Sequence, residues 1–130
     1  MSKRFLIDTH VLVWYLDGNK RLSGEVRDLI NDDDNSVAVS IASIWELAIK
    51  LSLKKIETKI SLPDIEAYII EREFTMLNIS FKHLNALSAL LIHHRDPFDR
   101  LLIAQALTED LTIISADKEF QAYPVPVIWA

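Results

Sequence analysis

Cysteine is absent from the 130-residue chain. That absence excludes disulfides, thiolate nucleophiles and sulfur-ligated metal sites. Glycine is almost missing too, with two residues, and no repeat, low-complexity tract or long polar linker is present. Nothing therefore marks a boundary between domains. No run of about 18 uncharged apolar residues exists to span a bilayer. The opening MSKRFLID meets an acid before any signal-peptide core forms. A soluble, unexported, cytoplasmic protein is expected. Positive charge is also scarce: 14 Lys and Arg against 19 Asp and Glu leave a net charge of -5, which argues against a general polyanion binder.

A nuclease is still compatible with this balance, because acids can concentrate at a metal site while a few local cations touch the substrate. Lys50, Lys54, Lys55 and Lys59 form one such stretch. A solvated helix end and loop is the simpler account of all four. What the chain does have is apolar residues, 50% of the total, enough for a core in one domain covering residues 1–130.

Short apolar runs alternate with longer periodic segments. Arg4 to Ile7 reads as a buried strand, and Val11 to Leu16 as a short helix stopped by Asp17-Gly18. Ser23 to Asn31 is helical, followed by the acidic turn at 32–35 and a strand at Ser36 to Val39. A helix from Ile41 to about Lys54 can be capped by Ser40, whose hydroxyl accepts from a free first-turn amide. Pro63 fits the first turn of a helix running to about Glu73, since its missing N–H costs nothing there. Met76 to Ile79 is a strand candidate, and Ser80 can cap a helix reaching about His93. His93 and His94 then suit a helix C-terminus. Pro97 opens a helix ending near Glu109, and strands follow at Leu111 to Ser115 and Val125 to Trp129. This alternation predicts an α/β domain with a mainly parallel sheet, because parallel neighbours need a crossover that usually holds a helix.

The positions of the acids carry the functional information. Asp8 follows the strand FLI directly, and Asp117 comes two residues after TIIS. Both lie at carboxyl ends of strands, the edge where open α/β sheets bind ligands. A turn former or helix cap explains either one alone. Glu46 is the only charged residue between Asp34 and Lys50. It completes a capping box with Ser43, or, if the helix starts at Ser40, stands in the interior of an apolar helix. In HRDPFDRLLIAQA, Asp96 can be an N-cap and Asp99 the third helical residue, where an acid favours the positive helix end. That account needs no catalysis, and it is compatible with a carboxylate pointing into a cleft.

Four segments, FLIDTHVLVWYL, SIASIWELAIK, HRDPFDRLLIAQA and TIISADKEFQAYPVPVIW, span nearly the whole chain. In content and order they resemble the PIN-domain family, and within it the VapC-like toxins of toxin-antitoxin pairs. The resemblance implies a three-layer domain with a parallel sheet flanked by helices. It also implies Mg²⁺- or Mn²⁺-dependent endonucleolytic cleavage of RNA by an activated water, with the family's four acids falling on Asp8, Glu46, Asp99 and Asp117. Asp8 and Asp99 are the expected direct ligands, with Glu46 and Asp117 acting directly or through water. Thr9, Asp96, Arg100 and Ser115 are expected in supporting or substrate-binding roles. A hard-oxygen donor set suits either ion.

His10 departs from the Ser or Asn that many relatives carry, and helix packing or capping is its simpler role. The expected partners are a small antitoxin lying across the acidic cleft and a second copy bound through helical surfaces. Core packing is the simpler account of Trp14, Trp45 and Phe74. A phosphotransfer receiver, the rival with a similar acidic pocket, needs adjacent early acids and a middle strand ending in Asp, and has neither here. A catalytically silent module of the same fold, or an RNA-processing nuclease without an antitoxin, are the other readings.

Overall fold

The computed structural model describes residues 3–91 and 96–130. His93 and His94 lie outside them. Five strands, β1 (Arg4–Ile7), β2 (Ser36–Ser40), β3 (Thr75–Leu77), β4 (Thr112–Ser115) and β5 (Val127–Trp129), form one sheet in the order β3-β2-β1-β4-β5. Every pairing is parallel. Among the described residues, six helices flank it: α1 (Thr9–Asp17), α2 (Gly24–Asn31), α3 (Ile41–Ser52), α4 (Leu62–Glu71), α5 (Phe81–Ala89) and α6 (Pro97–Glu109). A 3₁₀ turn covers Lys118–Ala122. The expected three-layer α/β architecture is therefore present.

A sheet covered on both faces demands strands that are apolar on both sides. β1 meets that demand at the centre, where Phe5, Leu6 and Ile7 are all buried. Because successive side chains point to opposite faces, Phe5 and Ile7 join Val11, Leu12, Val39, Leu47 and Ile114 in one core. Leu6 joins Leu102, Ile103, Ile113 and Phe120 in the other. Register brings Ile7 opposite both Val39 and Ile114.

The element ends follow local chemistry. Gly18 stops α1 in the left-handed region at φ 66°, donating its N–H to the last turn. Ser23, Ser40 and Ser61 each accept an amide of the helix that follows. Several expected ends shift inward. α3 ends at Ser52 rather than near Lys54, which takes φ 55°, and α4 ends at Glu71, with Glu73 at φ 58°. α5 ends at Ala89, β3 runs Thr75–Leu77, and β5 begins at Val127. At Lys54 and Glu73 the backbone enters the left-handed region, which ends the helix, whereas after α5 the apolar Leu90 and Leu91 run on past the last helical residue.

α5 and α6 meet at a polar seam. His83 is buried and accepts the Ser80 N–H on Nδ1 at 3.1 Å. Glu109 pairs with Lys82 at 2.8 Å and faces His83 at 3.5 Å. The Lys82 bond, ahead of the His83 contact, holds the Glu109 carboxyl below its usual range. No helix among the described residues is long and apolar enough to cross a membrane.

Since Ile7 is fully buried in the central strand, replacing it with Ala removes contacts from the core and from both neighbouring strands. Ile7→Ala is expected to lower unfolding free energy by about 2–5 kcal/mol, measured by urea denaturation. A loss below about 1 kcal/mol contradicts this core assignment.

Candidate active site

The carboxyl edge of the sheet is where β1 and β4 end side by side, and each is followed at once by a polar cap. Asp8 takes the N-cap position of α1, and its Oδ1 accepts the Val11 N–H at 2.8 Å. Its Oδ2 accepts from the Ser115 hydroxyl at 2.5 Å. Ser115 Oγ in turn accepts the Asp117 N–H at 2.9 Å. One fully buried serine at the end of β4 thus ties the first and fourth candidate acids together. Asp117 also caps the 3₁₀ turn, its Oδ1 accepting the Glu119 N–H at 3.0 Å. Capping and site membership coexist in both aspartates.

Asp8 is only 4% exposed. Burial drives its pKa up, and the charge of Asp117 adds to that rise. The Ser115 hydroxyl, the Val11 amide and the charge of His10 oppose it without cancelling it. The physical content is that a carboxylate is being kept out of water with neutral donors for company. No Lys or Arg among the described residues forms an ion pair with it.

Thr9, next in the chain, reaches the second helix of the site. Its hydroxyl donates to Glu46 Oε1 at 2.6 Å, and both residues are buried. Because Ser40 is the N-cap of α3, Glu46 stands in the helix interior, so the capping box with Ser43 does not form. Glu46 Oε2 accepts from Lys50 Nζ at 2.5 Å, one turn on. The solvated-lysine account holds for Lys54, Lys55 and Lys59, which are exposed, and fails for Lys50. The clue to Lys50 was the Glu-to-Lys spacing of four, the favoured helical pairing. A lysine at a helix end has a sufficient explanation without that pairing, so the spacing alone does not turn it inward.

Asp96 caps α6, accepting the N–H groups of Phe98 at 2.9 Å and Asp99 at 3.3 Å. That cap fixes the first turn, from which Asp99 projects as the third helical residue. Phe98 meets Trp45 edge to face at 5.0 Å between ring centres. The helix turns carrying Asp99 and Glu46 are thereby set alongside each other. Trp45 is 58% exposed, so core packing does not describe it, whereas Trp14 and Phe74 do pack against the core. His10 is exposed on α1 and tilts against Trp14 at 6.2 Å.

The structure thus links Asp8, Ser115 and Asp117 directly, and Thr9 with Glu46 and Lys50. Asp96 precedes α6, and Asp99 and Arg100 lie in its first turn, which meets α3 through the Phe98–Trp45 contact. Among the described residues no three acids or histidines stand together as a ready-made metal cage. The donor set nonetheless fits a hard cation, being carboxylates and hydroxyls throughout. Ser43 Oγ, on α3 one turn before Glu46, and Arg100 Nε, beside Asp99, are buried with no hydrogen-bond partner among the described residues.

Comparison with known proteins follows the same lines. No curated protein sequence matches the chain significantly. VapBC2 from Rickettsia felis, solved bound to a DNA fragment from its promoter, holds a similar chain. That chain superposes with a TM-score of 0.70 at 17% identity, with 98% of each chain covered. FitAcB from Neisseria gonorrhoeae gives 0.66 at 20% identity, covering 95% of this chain and 96% of that one. VapBC-5 from Mycobacterium tuberculosis, a member of the VapBC family of toxin-antitoxin systems, gives 0.59 at 19%, covering 97% and 96%. At such identities these likenesses speak for the fold. The sequence profile of the PIN domain matches residues 5–126, and the chain belongs to the PIN domain family.

Proposed function

We propose that this chain is a ribonuclease that cleaves RNA internally with Mg²⁺ or Mn²⁺, and that it is the cytoplasmic toxin of a toxin-antitoxin pair. The observation that carries the reading is Asp8: a carboxylate buried at the carboxyl end of the central strand, beside Asp117, with only neutral hydrogen-bond donors. Folding keeps such a charge out of water at a cost, and a site for a cation gives that cost a use.

Asp8 and Asp99 are the groups suited to hold the ion. Ser115 orients Asp8 through Oδ2, and Asp96 sets the turn that presents Asp99. Glu46 and Asp117 would act on the ion directly or through water, and one of them would accept the proton of the attacking water. Arg100, in the next position of α6, is the candidate contact for a substrate phosphate. A divalent cation there would acidify a water and neutralise charge developing on the phosphate. No nucleophile from the protein is required.

Membership of the family and the fold shared with chains of VapBC and FitAB complexes support the toxin role. A protein partner is further supported by Ile41, Trp45, Ile49 and Leu53. They recur every four residues from the first residue of α3 to the one just past its end and are all exposed, an apolar stripe that suits a docked segment such as an antitoxin. A second copy would bind through the exposed apolar face of α5, where Phe81 is 84% exposed. Copurification with a small protein encoded next to this one supports the antitoxin. RNA cleavage with no such partner and no effect on growth assigns the chain to RNA processing instead.

Four measurements test the site. Native protein is expected to cut structured RNA with added Mg²⁺ or Mn²⁺ and to stop when EDTA is added. Asp8→Asn and Asp99→Asn are expected to keep the fold and lose cleavage, and full activity in either removes that residue from the site. Ser115→Ala is expected to weaken ion affinity or cleavage by about 10- to 100-fold, as the loss of a group that orients a ligand does. The fourth concerns pH without metal. A raised folded pKa favours the protonated form, so its stabilising share is present below the ordinary aspartate range and disappears as pH rises through the folded value. Asp8→Asn is therefore expected to melt above native protein at neutral pH in EDTA, with the gap closing as pH falls towards about 4. A variant less stable than native at neutral pH contradicts the burial argument.

A further inference from the structure

The candidate site is electrically lopsided. On one side Asp8 is buried with a hydroxyl and a peptide N–H as its partners. On the other, Glu46 is equally buried, yet it already has a full positive charge in contact, the Lys50 ammonium at 2.5 Å from Oε2. Its second oxygen is taken by Thr9 at 2.6 Å.

Lys50 has reason to stay there. Its side chain is 30% exposed, so the stem lies along the helix while the head reaches inward. Withdrawing it would leave Glu46 as an uncompensated buried charge, a far costlier state than the loss of a surface pair. The spacing and direction, Glu four residues before Lys, is the arrangement that a helix favours. A divalent ion ligating Glu46 Oε2 would have to approach within about 2.1 Å of that oxygen. There it would meet the ammonium at short range in a site of lowered dielectric, where like charges repel strongly.

We propose that the Lys50 ammonium is the resident cation of the Glu46 half of the site, so that the native chain takes one divalent ion, on the Asp8 side, rather than a pair. The inference rests on the metal-dependent reading above. Glu46 is then a positioning and proton-accepting group, held by Thr9 and Lys50, and not a direct ligand. Two-metal phosphodiesterases set two ions about 3.5–4 Å apart between shared carboxylates. Here a side chain supplies the second positive charge, and it does so without depending on the concentration of free ion.

The test counts ions in the absence of substrate. Mn²⁺ is titrated into purified protein at neutral pH and the free ion is followed by its electron paramagnetic resonance signal, with circular dichroism confirming that each variant is folded. Native protein and Lys50→Arg are expected to bind one ion per chain. Lys50→Met, and Lys50→Gln as the version that keeps an N–H donor for Glu46, are expected to bind two. The double variant Glu46→Gln/Lys50→Met is expected to return to one. Two ions on native protein, or no second ion in Lys50→Met and Lys50→Gln, overturns the assignment of Lys50 and leaves the nuclease reading standing. A native Mn²⁺ count that Asp8→Asn does not change overturns that reading itself, and the inference with it.

Discussion

A carboxylate held at 4% exposure at the end of the central strand constrains much of what surrounds it. Asp8 cannot be there unless both oxygens find donors, and the donors come from two directions. One is the first turn of α1, which begins at the next residue. The other is Ser115, more than a hundred positions away, brought in because β4 pairs with β1 in parallel register. A slip of that pairing by one residue would turn Ser115 to the opposite face. Sheet register and site chemistry are therefore the same constraint seen at two scales.

The parallel sheet gives this arrangement its leverage. With every strand running the same way, all carboxyl ends share one edge, and the helices after β1, β2 and β4 start there. Their N-caps are Asp8, Ser40 and, for the 3₁₀ turn, Asp117. Capping and ligand binding draw on the same property, an acceptor oxygen placed beside free amides at a positive helix end. An aspartate recruited to start a helix here is already within reach of a common cleft. The charge that suits it to the cleft is a burden to the metal-free fold, and the raised pKa of Asp8 expresses that burden.

The two buried acids resolve the burden differently. Glu46 has its own ammonium in contact, while Asp8 has neutral hydrogen-bond donors, with His10 and Asp117 acting on it only through their charges. A symmetric cluster of four repelling carboxylates, the picture that composition and motif suggest, is thus not what the folded chain presents. Outside the cleft the surface is also uneven: α3 shows an apolar stripe that includes Trp45, although neighbouring positions on the same helix are buried deeply.

The amino-acid sequence by itself determined the class of fold and the order of elements, and it singled out the candidate acids. Local rules were sufficient for these: apolar runs for strands buried on both faces, Ser and Asp at helix starts, Pro in first turns, and a motif order that resembles a known family. Ends of elements drifted by a few residues at Lys54, Glu73, Ile79 and Val125, because residue type does not say where the backbone leaves the helical or paired conformation. Tertiary structure alone decided which partners each acid keeps. That Ser115 bonds Asp8, that Thr9 bonds Glu46, that Lys50 turns inward and Trp45 outward are outcomes of strand register and helix packing, which bring together groups far apart in the chain. The physical reason is that a side chain's charge and exposure depend on what approaches it from other elements, and one-dimensional spacing records only the neighbours on its own.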